Sequence, residues 1–185
     1  MKLINYFEYN STIILSFFFL SLIVLMINKL TKGKTNKILF SSYRSSLLNP
    51  LTYVRLITHI LGHQTRSHFT NNFIYILLIG PMLEEKYGSI NILKMIIITA
   101  IITGIINSTI TKNRILGSSG IVFMMIILSS LVNLTNNKIP LTLVLICLFY
   151  IVNEILDGLT KKDNVSHLGH LIGAICGFVF GFYIF

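Results

Sequence analysis

Apolar residues run in blocks free of acidic side chains at residues 11–28, 68–83, 89–110, 115–135, 139–153 and 165–185. Crossing the hydrocarbon of a bilayer takes about 20 mostly apolar residues, and each block approaches that length for a tilted helix. The pattern predicts six helical spans. Loop-forming residues fill the gaps at Lys29 to Arg66, Glu84 to Gly88, Lys112 to Arg114, Asn136 to Lys138 and Asp157 to Asp163. Pro140 suits the first turn of the fifth helix, where a missing N–H costs nothing. Only the first gap is long. Within it Leu47 to Gly62 mixes apolar and basic residues, as in Tyr53, Val54, Arg55, Leu56 and Ile57. That stretch is too short to span and suits an amphipathic element lying at the interface. No internal repeat is visible, so an inverted-repeat transporter has no support from symmetry.

Composition strengthens the membrane reading. Hydrophobic residues make up 54% of the chain, charged residues only 11%, and the mean hydropathy is +0.78, so lipid is the solvent for most of it. The expectation is an all-α membrane protein: one membrane domain over residues 1–185, with no sizeable soluble part. The net charge of +9 does not mark a nucleic-acid binder, because the Lys and Arg residues are scattered between apolar runs and form no single basic face. They read as loop charges beside anionic lipid. Cys147 and Cys176 both lie in apolar runs and suggest neither a disulfide nor a metal-ligand pair. The first block is followed by Lys29 and shows no small-residue cleavage pattern, so it reads as a retained span. If the first, third and fifth loops share one side, they hold 11 of the 15 Lys and Arg residues, and the positive-inside rule places them in the cytoplasm.

Polar groups in hydrocarbon are costly, so those inside the spans mark function by default. The second span opens His68-Phe69-Thr70-Asn71-Asn72, with His68 and Asn72 four apart on one helical face and both able to donate hydrogen bonds. The fourth opens Leu116-Gly117-Ser118-Ser119-Gly120, a small-residue turn that sets a serine beside the free N–H groups of a helix N-terminus. In the sixth, His170, Gly173, Gly177 and Gly181 fall on one stripe about 80° wide. Such a stripe lets helices approach closely, and Gly117 to Gly120 is the natural partner. Gly104, Asn107 and Ser108 of the third span read as packing. Taken singly, each signal has a plain alternative: Gly-Ser-Ser-Gly is a turn or an N-cap, a membrane histidine a packing or proton-relay residue, a glycine stripe mere helix packing. Together they supply a nucleophile, a base and two further donors, which is what acyl transfer requires.

These residues resemble the rhomboid family of intramembrane serine proteases over essentially the whole chain. Arg55, His59, His63, His68 and Asn72, followed by Gly80, Glu84 and Gly88, are similar to the family's first-loop arginine, spaced histidines, HxxxN and GxxxExxxG. Gly117-Ser118-Ser119-Gly120 resembles its GxSG motif, and His170 with Gly173 and Gly177 its HxxGxxxG motif. The resemblance implies a six-helix bundle with a long first loop, in which Ser119 is the nucleophile and His170 the general base. It also implies that His68 and Asn72 help stabilise the oxyanion and that Phe123 packs against the catalytic histidine. It implies single-span membrane proteins as substrates and an orientation opposite to the one the charge count gives. The tryptophan that often precedes the first-loop arginine is Val54 here, and Ile127 stands where a small residue is common. His167 competes with His170 as base, but a glycine at both +3 and +7 follows only His170.

The expected mechanism is attack by Ser119 on a scissile carbonyl, with His170 taking the proton and returning it to the leaving amine. Glu154 and Asp157 lie toward the end of the fifth span and Glu84 at the end of the second, and their spacing puts none of them behind His170, so a dyad is expected. His63, Gln64, Thr65, His68 and Asn72 suggest a hydrophilic cavity open to one membrane surface. No cofactor or metal is expected, since the glycine-rich runs lack a P-loop lysine and His63 and His68 are five apart. The competing readings are a catalytically inactive relative that binds membrane proteins, and a channel or transporter subunit with histidines along an ion path. Without extensions or a transit-like segment, the chain reads as a multi-pass protein of a prokaryotic plasma membrane.

Overall fold

Each of the six apolar blocks becomes a helix in the computed structural model, which describes residues 8–111, 113–132, 138–160 and 166–184. In order these are α1 (Thr12–Leu30), α4 (Arg66–Tyr87), α5 (Ser89–Ile110), α6 (Ser119–Leu131), a helix over Leu141–Thr160 and α9 (His167–Val179). The fifth consists of α7 (Leu141–Ile146), a π-helical turn Cys147–Ile151 and α8 (Val152–Thr160). A second π turn, Phe180–Ile184, extends α9. Two short helices, α2 (Lys34–Ile38) and α3 (Pro50–Thr58), belong to the first loop. Among the described residues the one backbone pairing of β type is the isolated bridge between Ser42 and Ile115.

Three helices, α1, α5 and Leu141–Thr160, are long and apolar enough to cross a membrane, while Ser119–Leu131 and His167–Phe182 are apolar but shorter. The expected fourth block, 115–135, therefore starts late, at Ser119, and its last three residues, 133–135, lie outside the described residues. Ile115 is held extended by two hydrogen bonds with Ser42, and Gly117 turns the chain at φ +116°, so the helix cannot begin before Ser119. Two other expected loops are helical in part, residues 161–163 of the second lying outside the described residues. The segment from Glu84 continues α4 to Tyr87, and residues 154–160 continue α8 to Thr160.

Glu84 stays inside α4 because its charge is used. Its carboxylate accepts hydrogen bonds from the first-turn N–H groups of Ile13 and Ile14, both at 3.0 Å, and from Ser89 Oγ at 2.6 Å. Helix N-termini carry unsatisfied N–H groups and partial positive charge, so a buried carboxylate there is stabilised, and α1 is tied to the end of α4.

In lipid the helices gain little from leaving the solvent, so close approach of small residues decides which ones pack. The innermost helix is α6, with Ile121, Met124, Met125, Ile127 and Leu128 all 1% exposed or less. It meets α9 along the glycine stripe. A Cβ on Gly173 would lie 2.0 Å from the Gly120 carbonyl oxygen, one on Gly177 2.5 Å from that of Met124, and one on Gly181 2.5 Å from Leu131 Cδ1. By contrast, Leu141–Thr160 lies at the periphery, with Leu143 buried and Ile146, Cys147 and Ile151 half-buried against Ile127, Leu131 and Ala174.

The first loop folds around Arg55, which is 3% exposed. Its guanidinium donates to Tyr43 Oη (3.0 Å), Ser45 Oγ (2.8 Å), Thr52 Oγ1 (3.3 Å) and the Ile38 carbonyl (3.4 Å). Thus α3 is amphipathic in an inverted sense: Thr52 and Arg55 are buried, while Tyr53, Val54 and Ile57 are exposed.

Candidate active site

The turn before α6 is built from outside. The N–H of Gly117 donates to the His59 carbonyl at 3.0 Å, and Ser42 holds Ile115 on both sides of its peptide. His63 Nδ1 lies 3.2 Å from the Leu61 carbonyl, which can only accept, so Nδ1 carries the proton and Nε2 accepts from Ser118 Oγ at 3.2 Å. Ser118 is the N-cap residue of α6, yet its hydroxyl is directed to His63 and makes no capping bond. The first-turn N–H groups of α6 are thereby left without a side-chain cap, beside Ser119. A free helix N-terminus favours negative charge.

Two side-chain donors converge on the same turn from α4. A Cβ on Gly117 would sit 2.6 Å from His68 Cε1, 2.7 Å from its Nε2 and 3.7 Å from Asn72 Nδ2. Asn72 is 7% exposed, and its amide nitrogen is buried with no hydrogen-bond partner among the described residues. A buried unsatisfied donor is costly and needs a reason. The recess at Ser119 is lined by His59, Leu116, Gly117, Gly120, Ser166 and Gly169, so Ser119 faces the start of α9.

On α9 the His170 ring stacks on Phe123, one turn beyond Ser119, with centroids 4.5 Å apart and planes 8° from parallel. Phe123 in turn meets Tyr150 edge-on at 6.4 Å. The close contact of Gly120 and Gly173 keeps the histidine beside the serine turn. Among the described residues no hydrogen bond joins Ser119 Oγ to His170, and apo sites commonly show this looseness before substrate binds.

The arrangement differs from expectation in two respects. His63 is fully buried and serves the α6 turn, so of the polar group read as an open cavity only Gln64 and Thr65 are exposed, with His68 partly so. Second, a carboxylate does stand behind the histidine: Glu154 Oε1 lies 2.6 Å from Nδ1 of His170 and 2.6 Å from Nδ1 of His167. The sequence concealed this because the fifth span was read as ending at residue 153. Helix α8 instead runs to Thr160, and its packing against α9 sets Glu154 opposite both histidines. Three such groups are a conceivable cation site. The 2.6 Å separations are those of hydrogen bonds, however, whereas ligand atoms around a tetrahedral zinc stand about 3.3 Å apart.

The first-loop histidines differ from those on the spans in being wholly enclosed. Burial pulls the pKa of His59 down to about 4, against smaller opposing contributions from the Arg55 and Leu56 carbonyls. Burial, with the neighbouring His68, does the same to His63. Both are neutral at pH 7.

A helical membrane protein with a serine at an uncapped helix N-terminus and a histidine across a glycine contact defines a recognisable class. The Rhomboid domain model matches residues 50–185. The chain is also similar to the Rhomboid protease GlpG of Haemophilus influenzae, 27% identical over 134 residues that cover 68% of each chain. This protein belongs to the rhomboid family.

Proposed function

We propose that this protein is an intramembrane serine endopeptidase that cuts transmembrane segments of single-span membrane proteins with Ser119 and His170. The observation that carries the reading is the α6–α9 contact, in which Gly173 lies against Gly120 while His170 stacks on Phe123, one turn from Ser119. Membership of a family that includes a named protease supports it.

Rotation of the Ser119 hydroxyl toward Nε2 of His170 starts the reaction. The Oγ–H proton passes to Nε2 as Oγ bonds to the scissile carbonyl carbon and the carbonyl electron pair moves to oxygen. In this reading the uncapped N–H groups of α6, with His68 and Asn72, receive that oxyanion. This gives the unsatisfied Asn72 amide a partner that exists only during reaction. The imidazolium returns its proton to the leaving amine, and water then releases the acyl group. In this reading all six helices cross the membrane, the shorter α6 and α9 being shielded by their neighbours, and α3 lies at the surface with Tyr53, Val54 and Ile57 toward lipid. The host membrane is a prokaryotic plasma membrane.

The test is cleavage of a single-span substrate in liposomes, with labelling by a fluorophosphonate. Ser119→Ala and His170→Ala are expected to abolish both, and His167→Ala to retain both. A folded wild type that neither cleaves nor labels would favour the inactive membrane-protein binder instead.

A further inference from the structure

We infer that Glu154 is a positioning residue for His170, turning the proposed pair into a relay of Ser119, His170 and Glu154. This rests on the proteolytic reading above. The carboxylate oxygen can only accept, so its 2.6 Å contact with His170 requires the proton on Nδ1. That fixes the tautomer in which Nε2 carries the lone pair, the one form able to receive the serine proton. The ring is then held on two sides: Phe123 sets its plane at 8°, and Glu154 sets its rotation within that plane. The Glu154 and His170 side chains are 12% exposed each, which leaves their attraction only partly screened by solvent.

A purely structural tie explains the bond less well. Glu154 belongs to α8, a peripheral helix that contributes no buried residue to the core and meets α9 where Gly158 lies against His167 (3.1 Å from a Gly158 Cβ to His167 Cβ), so a purely structural tie between the two helices is already made at His167. The same Oε1 also accepts from His167 at 2.6 Å. One carboxylate oxygen thus serves two imidazoles, of which only His170 also stacks on Phe123.

In the reaction the Oγ–H bond of Ser119 breaks and its proton forms the Nε2–H bond of His170, while Oγ bonds to the carbonyl carbon. Glu154 remains ionised throughout and stabilises the resulting imidazolium. On collapse of the tetrahedral species the Nε2 proton goes to the amine nitrogen as the C–N bond breaks. Among the described residues the other titratable groups around His170 are His167 on α9, Tyr150 on the π turn with Tyr75 of α4 beyond it, and His68 on α4, while Asp157 follows Glu154 by three residues on α8.

The experiment compares wild type, Glu154→Gln, Glu154→Asp, Ser119→Ala and His170→Ala in liposomes. It measures kcat and KM across pH, the rate of fluorophosphonate labelling, and thermal unfolding in detergent. Glu154→Gln is expected to lower kcat at least about tenfold with KM nearly constant, and to slow labelling in parallel. It should also move the acidic limb of kcat/KM to lower pH, because an imidazolium without its anion gives up its proton more easily. Glu154→Asp should recover part of the rate and of the limb. If Glu154→Gln keeps wild-type kcat and limb while Ser119→Ala and His170→Ala are dead, the positioning role is overturned and the dyad stands. A lowered kcat with an unmoved limb and an earlier unfolding transition makes the bond structural and overturns it equally. Cleavage surviving in Ser119→Ala or His170→Ala overturns the proteolytic reading itself.

Discussion

At the scale of single residues, the positions that matter most are those with no room. Gly117 combines φ +116° with a space in which any Cβ would fall 2.6 Å from His68 Cε1. Gly117→Ala is therefore expected to introduce about 1–3 kcal/mol of backbone strain and to push His68 off the turn. Loss of one oxyanion donor typically costs about 100-fold in turnover, so kcat should fall much further than the unfolding temperature suggests, measured side by side. That the segments carrying Ser119, His170, His68 and Asn72 come together was legible in the sequence, because small residues and histidines are conspicuous inside apolar blocks. Glu154 was not, since a carboxylate at a span end looks like any loop charge until the far helix is in place. The role of His63 was equally hidden. Its use as a buried clamp on Ser118 depends on a loop path that no spacing reveals.

At the scale of elements, α6 and α9 stand or fall on their shared stripe. Gly173→Ala would set a methyl 2.0 Å from the Gly120 carbonyl, forcing the helices apart at the level of the serine turn. The expected cost is about 1–3 kcal/mol, read as an earlier unfolding transition, together with slower labelling of Ser119. Ile175→Ala, 60% exposed on the other side of α9, should change neither measurably. That stripe was readable at helical spacing from residues 170, 173, 177 and 181 alone. Helix ends were not. Where α6 begins is decided by Ser42, more than seventy residues earlier in the chain, and where α4 ends is decided by the use α1 makes of Glu84. Long-range partners override local punctuation, which is why an acidic residue mistaken for a loop marker proved to be 5% exposed.

At the scale of the whole molecule, the helical membrane architecture followed from hydropathy alone, because lipid leaves the backbone few alternatives. The number of full crossings was less legible. Three helices meet the length and apolarity of a span unaided, two further apolar ones are shorter, and α4 has the length without meeting both conditions. Stability should also respond to acid globally. His59 and His63, both depressed to about 4 by burial in the first loop, bind protons more readily in the unfolded chain, where the ordinary value is 6.5. Their contribution is complete above pH 6.5 and is lost progressively as pH falls toward 4. Unfolding temperatures measured from pH 8 to 4 should decline across that window, and His59→Gln combined with His63→Gln should flatten the decline.

The Glu84 latch has a bearing on biogenesis. The amide groups at the head of α1 find their acceptor on a residue 70 and 71 positions later, at the far end of α4. As the chain leaves the ribosome, α1 enters the bilayer with those amides still open to water or headgroups, and waits there while the whole first loop and α4 are synthesised. Helix α1 is therefore made well before it is fastened, and its place in the bundle is timed by the arrival of one glutamate.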